Sequence, residues 1–159
     1  MKKVNVVYVL VLMSLSTFAQ ISKSTELYLD LKRNDSLIFD SSFNTCNLDL
    51  LRTLIHENLE FYHDESGVIY GKENFIQNTK NGLCKSSYKF RRELLEETLE
   101  VFPLKDRQDN LYGAIQKGTH RFYQDDKRTS IAYFTHLWVY EKNNWLLKRV
   151  LSYNHKKEK

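Results

Sequence analysis

Three long segments fill the last third of the chain, and their side-chain pattern commits that third to a β-sheet. Gly113–Tyr123, Ile131–Tyr140 and Trp145–His155 are each dense in β-branched and aromatic residues, and only short polar stretches separate them. Each also carries His, Arg or Tyr within an otherwise apolar or amphipathic pattern. Side chains two and four apart on a strand point the same way. His136 and Trp138 therefore share a face, Arg149 and Tyr153 share a face, and His120 shares one with Gln116 and Phe122. If these faces line the inside of a curved sheet, His136, Arg149, His120 and Tyr153 converge on one cavity with Trp138 as an aromatic wall. Such a layout suits a small anionic or carbonyl ligand. The same pattern also fits a buried hydrogen-bond network or a polar patch at a subunit interface.

The segments before this region read as helices and short strands. Leu27, Leu31, Ile38, Phe39 and Phe43 recur near helical spacing and predict one long amphipathic helix over 24–43. Asn47 is a good N-cap for a second helix with Leu48, Leu51, Leu54 and Ile55 as its apolar stripe. Leu59–Asp64 alternates like a strand, Glu65–Gly67 turns it, and Val68–Tyr70 is its short partner. A third helix starts at Gly71 and ends at the Asn81-Gly82 turn, and strands follow over 88–93 and 98–104. Helices first and a run of antiparallel strands afterwards predict an α+β fold, with helices on one face of a curved sheet. Arg91 and Arg92 are adjacent on a strand, so only one faces inward; Leu94 shares the face of Arg92, which makes Arg92 the candidate, against a surface ion pair with Glu93 or Glu96.

The N-terminus carries a separate signal. Met1, Lys2 and Lys3 are followed by an apolar run from Val4 to Leu15 and by small residues at Thr17 and Ala19. This predicts a secretory signal peptide over 1–19, cleaved after Ala19, and a single domain over 20–159 that is periplasmic or secreted. The apolar run is shorter than the ~20 residues a spanning helix needs, so no stable membrane insertion is expected after cleavage. Loss of Lys2 and Lys3 takes the formal charge from +4 to +2. With no basic stripe interleaved with exposed aromatics, nucleic-acid binding is not expected. Export would put Cys46 and Cys84 where disulfides persist. A bridge between them would contribute ~3–4 kcal/mol, and the alternative is two separate buried thiols.

The residues His63-Asp64 with Gly67, Gly71-Lys72 with Phe75, Arg91-Arg92-Glu93, Gly113–Gln116 with Gly118 and His120–Tyr123, Phe134–His136 with Trp138, and Trp145 through Arg149–Tyr153 to His155 resemble the secreted, SnoaL-like branch of the nuclear transport factor 2-like superfamily. The resemblance spans 27–155. It implies a cone-shaped sheet wrapped around a long helix, a pocket between helices and sheet, and homodimers through the outer sheet face. Members include isomerases, dehydratases, cyclases, epoxide hydrolases and non-enzymatic binding modules, so the fold transfers and the activity does not.

Members that abstract a proton beside a carbonyl use a carboxylate base and a hydroxyl or carboxylic acid aimed at the developing oxyanion. Asp64 is the candidate base near a pocket mouth, with Tyr153, Tyr62 or Tyr123 as the donor; otherwise Asp64 is a turn residue bonding the Gly67 backbone. His63, on the opposite strand face from Asp64, joins the pocket candidates Arg92, His120, His136, Trp138, Arg149 and Tyr153. His63, His120 and His136 lack short-range metal-ligand spacing, so neither metal nor cofactor is expected. The expected function is a secreted small-ligand-binding or accessory domain. The alternatives are a small-molecule isomerase, dehydratase or hydrolase with a carboxylate or His base, and a dimeric interaction module.

Overall fold

The computed structural model describes residues 20–158, and the proposed leader with its cleavage point after Ala19 lies outside the described residues. Helix α1 spans Glu26–Phe39, opening where the Thr25 hydroxyl accepts from the Tyr28 amide. Leu31 and Ile38 bury its apolar stripe, and Asp35 sits fully buried between them. The single long helix predicted to reach Phe43 instead widens into a π-helical turn over Asp40–Asn44. The cause is local: the Ser41 and Ser42 hydroxyls both bond back to the Ile38 carbonyl, and the Thr45 amide reaches the Asp40 carbonyl five residues back.

Asn47 caps α2 (Leu48–Leu54) through the Leu50 amide. Ile55, predicted within that helix, opens β1 (Ile55–His63) because it pairs with Leu147 and is fully buried there. Next come β2 (Gly67–Tyr70), α3 (Lys72–Asn81), β3 (Phe90–Leu94) and β4 (Glu100–Lys105). The chain finishes with the long strands β5 (Leu111–Gln124), β6 (Lys127–Glu141) and β7 (Asn144–Lys157). The fold is α+β as expected. The sheet runs β2-β1-β7-β6-β5-β3, and β4 pairs with another stretch of β5. It is mixed rather than antiparallel throughout: the last strand returns onto β1 in the same direction, Glu60 beside Arg149 and His63 beside Ser152.

The inner face of the sheet carries Ala114, Gln116 and His120 from β5, and Ala132, Phe134, His136 and Trp138 from β6. Gly118 sits directly opposite Phe134, and a Cβ there would come within 3.0 Å of the Phe134 ring. The missing side chain lets that ring lie flat across β5 between the two inward histidines, His120 and His136. On β7 the register against β6 slips twice, between Leu137 and Trp138 and between Ile131 and Tyr133. These bulges make Leu147, Val150 and Ser152 the buried positions instead of a strict alternate set. Helix α1 packs into the resulting concavity.

Cys46 and Cys84 are disulfide-bonded, with Cα atoms 5.8 Å apart. The bridge ties the end of the π turn to the 3₁₀ turn Leu83–Lys85 after α3. Among the described residues no helix is long and apolar enough to cross a membrane.

Candidate functional site

Helix α1, its π turn and α3 close over the concave sheet without filling it. Between them lies a cavity of about 410 Å³. Its wall is mainly aromatic, from Phe39, Phe43, Phe61, Phe75 and Phe122, and its polar groups include His63, His120, His136 and Ser152. A few converging polar groups in an apolar hollow of this size is the pattern of small-molecule sites.

Beneath the cavity floor lies a buried ion pair. Arg92 donates to Asp35 from Nη1 at 2.6 Å and from Nη2 at 3.4 Å, and both side chains are almost wholly withdrawn from solvent. The guanidinium stacks 3.9 Å from the centre of the Phe39 ring. On balance burial holds the Asp35 carboxyl above the usual carboxylate range, the Arg92 charge and hydrogen bonds offsetting only part of that push. The arginine is thereby committed to a partner within the protein.

Two histidines take their tautomers from this network. Arg92 Nε donates to His120 Nδ1 at 3.3 Å, so the His120 ring proton sits on Nε2. That Nε2 is buried and has no hydrogen-bond partner among the described residues, on a side chain only 2% exposed. His136 Nδ1 lies 3.3 Å from Gln116 Oε1 and 3.5 Å from Asp35 Oδ1, two acceptors that place its proton on Nδ1. Trp138 Nε1 donates to the same Gln116 oxygen at 2.8 Å. Burial, reinforced by the Arg92 charge, holds His120 well below the usual imidazole range and pushes His136 down to about 3. Both rings are neutral at neutral pH. The cavity therefore presents hydrogen-bonding imidazoles and no net charge.

The rim near His63 is organised differently. His63, and not Asp64, caps the β1–β2 turn, its Nδ1 accepting the Glu65 and Ser66 amides at 3.1 and 3.3 Å. Asp64 reaches across to β7, where Oδ1 is 2.5 Å from His155 Nδ1 and Oδ2 accepts the His155 backbone amide at 3.1 Å. The His63 and His155 rings stack at 4.2 Å. His63, Asp64 and His155 bring ligand-type atoms within 4.8 Å of one another, a cluster that sequence spacing hides. The Nδ1 of His63 accepts from backbone amides and that of His155 bonds Asp64, which fixes both rings.

Of the residues singled out from sequence, His63, His120 and His136 line the cavity. Arg92 lies beneath it as the partner of Asp35, and Trp138 is fully buried in the core. Arg149 and Tyr153 are on the opposite sheet face, because the bulges of β7 assign the inner face to Val150 and Ser152. Arg149 is exposed and forks onto Glu60 at 2.9 and 2.7 Å; Tyr153 is exposed beside Tyr133. Neither reaches the cavity. Sequence reasoning missed Asp35, Ser152 and His155. Asp35 was detectable as an acid on the stripe Leu31, Asp35, Ile38. His155 was detectable from Asn154, a residue type that tolerates the left-handed backbone it adopts at φ 60°.

No model of a protein family matches this sequence. No curated protein matches it either. Solved structures do. A protein of unknown function with a cystatin-like fold from Nostoc punctiforme is 13% identical, with 80% of this chain and 91% of that chain covered and a TM-score of 0.66. A nuclear transport factor 2-like protein of unknown function from Pseudomonas putida is 9% identical, over 77% of this chain and 82% of that one, with a TM-score of 0.63. A hexachlorocyclohexane dehydrochlorinase from Novosphingobium barchaimii is 9% identical, over 82% and 88% of the two chains, with a TM-score of 0.59.

Proposed function

We propose that this chain, which has the nuclear transport factor 2-like fold, is a binding module for a small, uncharged and largely apolar molecule bearing one hydrogen-bond acceptor such as a carbonyl oxygen. One observation carries this reading: the buried His120 Nε2–H, on a residue lining the cavity, has no acceptor. Leaving such a donor unsatisfied costs about 1–3 kcal/mol, and a ligand oxygen would recover it. The aromatic walls supply apolar contact for the rest of the ligand. Arg92 is paired with Asp35, so of the anionic and carbonyl ligands expected from sequence the neutral carbonyl one is favoured.

The dehydrochlorinase among the similar structures raises proton abstraction as an alternative for this chain. A general base works best with a pKa near the operating pH. His136, pushed down to about 3, is far from it, and the Asp35 carboxylate beside it is engaged by Arg92 at 2.6 Å. Binding is therefore favoured over abstraction by this pair.

The setting belongs to the same proposal. The leader pattern of residues 1–19 and a disulfide between Cys46 and Cys84 support export to an oxidising compartment. Exposed Tyr133, Leu151 and Tyr153 on the outer sheet face support a homodimer through that face. Native mass spectrometry of the exported chain, compared with its denatured mass, tests all three. The expected spectrum starts at Gln20, lacks 2 Da for the disulfide, shows two subunits and retains a small neutral adduct that denaturation releases. A purified protein that neither retains nor takes up any neutral ligand would oppose the binding reading.

A further inference from the structure

We infer that Ser152, His155 and Asp64 form a nucleophile relay on the cavity wall, and that the chain hydrolyses small uncharged esters through an acyl-serine intermediate. This rests on the proposal that the cavity admits small neutral molecules. Asp64 accepts from His155 with both oxygens, at Nδ1 (2.5 Å) and at the backbone amide (3.1 Å), which fixes the ring and places its proton on Nδ1. His155 Nε2 then carries the lone pair, and it lies 3.4 Å from Ser152 Oγ. That separation is loose, as nucleophile–base contacts often are before substrate binds. Ser152 is buried and lines the cavity.

The placement depends on one backbone irregularity. In an even strand Ser152 and His155, three apart, would point to opposite faces. The β7 bulge with Asn154 at φ 60° brings both to the inner side, where His155 stacks on His63 and approaches the Phe122 ring.

His63 supplies the remaining part. It is the sheet neighbour of Ser152, and its Nδ1 accepts two backbone amides, so its proton is on Nε2. Burial holds it below the usual imidazole range, so it is a neutral donor on the cavity wall. A donor there is suited to an oxyanion forming beside Ser152.

The chemistry balances with water alone. Ser152 Oγ attacks the ester carbonyl carbon as its proton passes to His155 Nε2, and the tetrahedral oxyanion accepts from His63 Nε2–H. Collapse breaks the acyl C–O bond, and the departing alkoxide takes the proton from His155. Water, giving its proton to the same Nε2, then attacks the acyl-serine; Ser152 leaves reprotonated with release of the carboxylic acid. His155 and Ser152 are the catalytic residues, and Asp64 positions His155.

Diisopropyl fluorophosphate is the probe, with peptide mass mapping of the adduct, alongside hydrolysis of 4-nitrophenyl butyrate. The expected result is a single adduct on Ser152, absent in Ser152→Ala. Labelling and hydrolysis should slow about 100-fold or more in His155→Gln. Asp64→Asn should slow both about 10-fold or more, and Asp64→Glu should recover part of the rate, which a purely structural role for Asp64 would not produce. Acetophenone binding, measured on the same oxidised protein, separates the two proposals. Acetophenone binding without labelling, or labelling that persists in Ser152→Ala, overturns the relay and leaves the cavity reading intact. Absence of both binding and labelling overturns both.

Discussion

Replacing Asp35 by Ala should lower the unfolding free energy by about 3–5 kcal/mol, measured by urea denaturation. The substitution strands the Arg92 guanidinium, only 3% exposed, in the core with its principal partner gone. It also removes one of the two acceptors near His136 Nδ1. Most of the loss is the cost of an uncompensated buried charge, not the intrinsic worth of the pair. It follows that the double variant Asp35→Leu/Arg92→Met should recover much of the stability, since an apolar pair of similar volume needs no compensation. A single-variant loss under about 1 kcal/mol would mean that Arg92 finds water or another partner, and the neutral-cavity argument would weaken with it.

Removal of the disulfide by the double substitution Cys46→Ser/Cys84→Ser should cost about 3–4 kcal/mol, and the melting temperature should fall by about 10 °C in a chain of this size. The loop it closes separates the two cysteines by 38 residues and contains α2, β1, β2 and α3. Without the bridge the unfolded chain regains that freedom. The bridge also joins two segments whose neighbours, Ser42 and Leu83, line the cavity. Reduced protein should therefore lose ligand affinity as well as stability. Thermal melts with and without reductant check the first effect, and identical curves would count against it.

The fold was more legible than the site, and for a physical reason. Strand periodicity, the Asn47 cap and the Gly67 and Gly82 turns are local signals, and each marks an element that the chain forms. Which side chains meet depends on register, and register here is set by single-residue bulges. Strict alternation along β7 assigns Arg149 and Tyr153 to the cavity, whereas the two slips against β6 give it Ser152 and bring His155 inward. The parallel β1–β7 pairing brings His63 next to Ser152 across most of the chain length, a contact with no local signature. Arg92 was singled out by its face shared with Leu94, but its partner Asp35 lies 57 residues earlier on a helix. Only the packed fold pairs the two charges, and that pairing is what favours the carbonyl over the anionic alternative in the proposed function.

Whether the unpartnered imidazole selects a carbonyl ligand is tested in oxidised protein with two molecules of one shape, acetophenone and α-methylstyrene, in which a carbonyl oxygen is replaced by a methylene. Titration of the wild type and of His120→Phe isolates the acceptor's contribution at the unpartnered imidazole. The wild type should bind the ketone about 10-fold more tightly, and the preference should disappear in His120→Phe. Equal affinities in the wild type, or a ketone preference that survives the substitution, would contradict it.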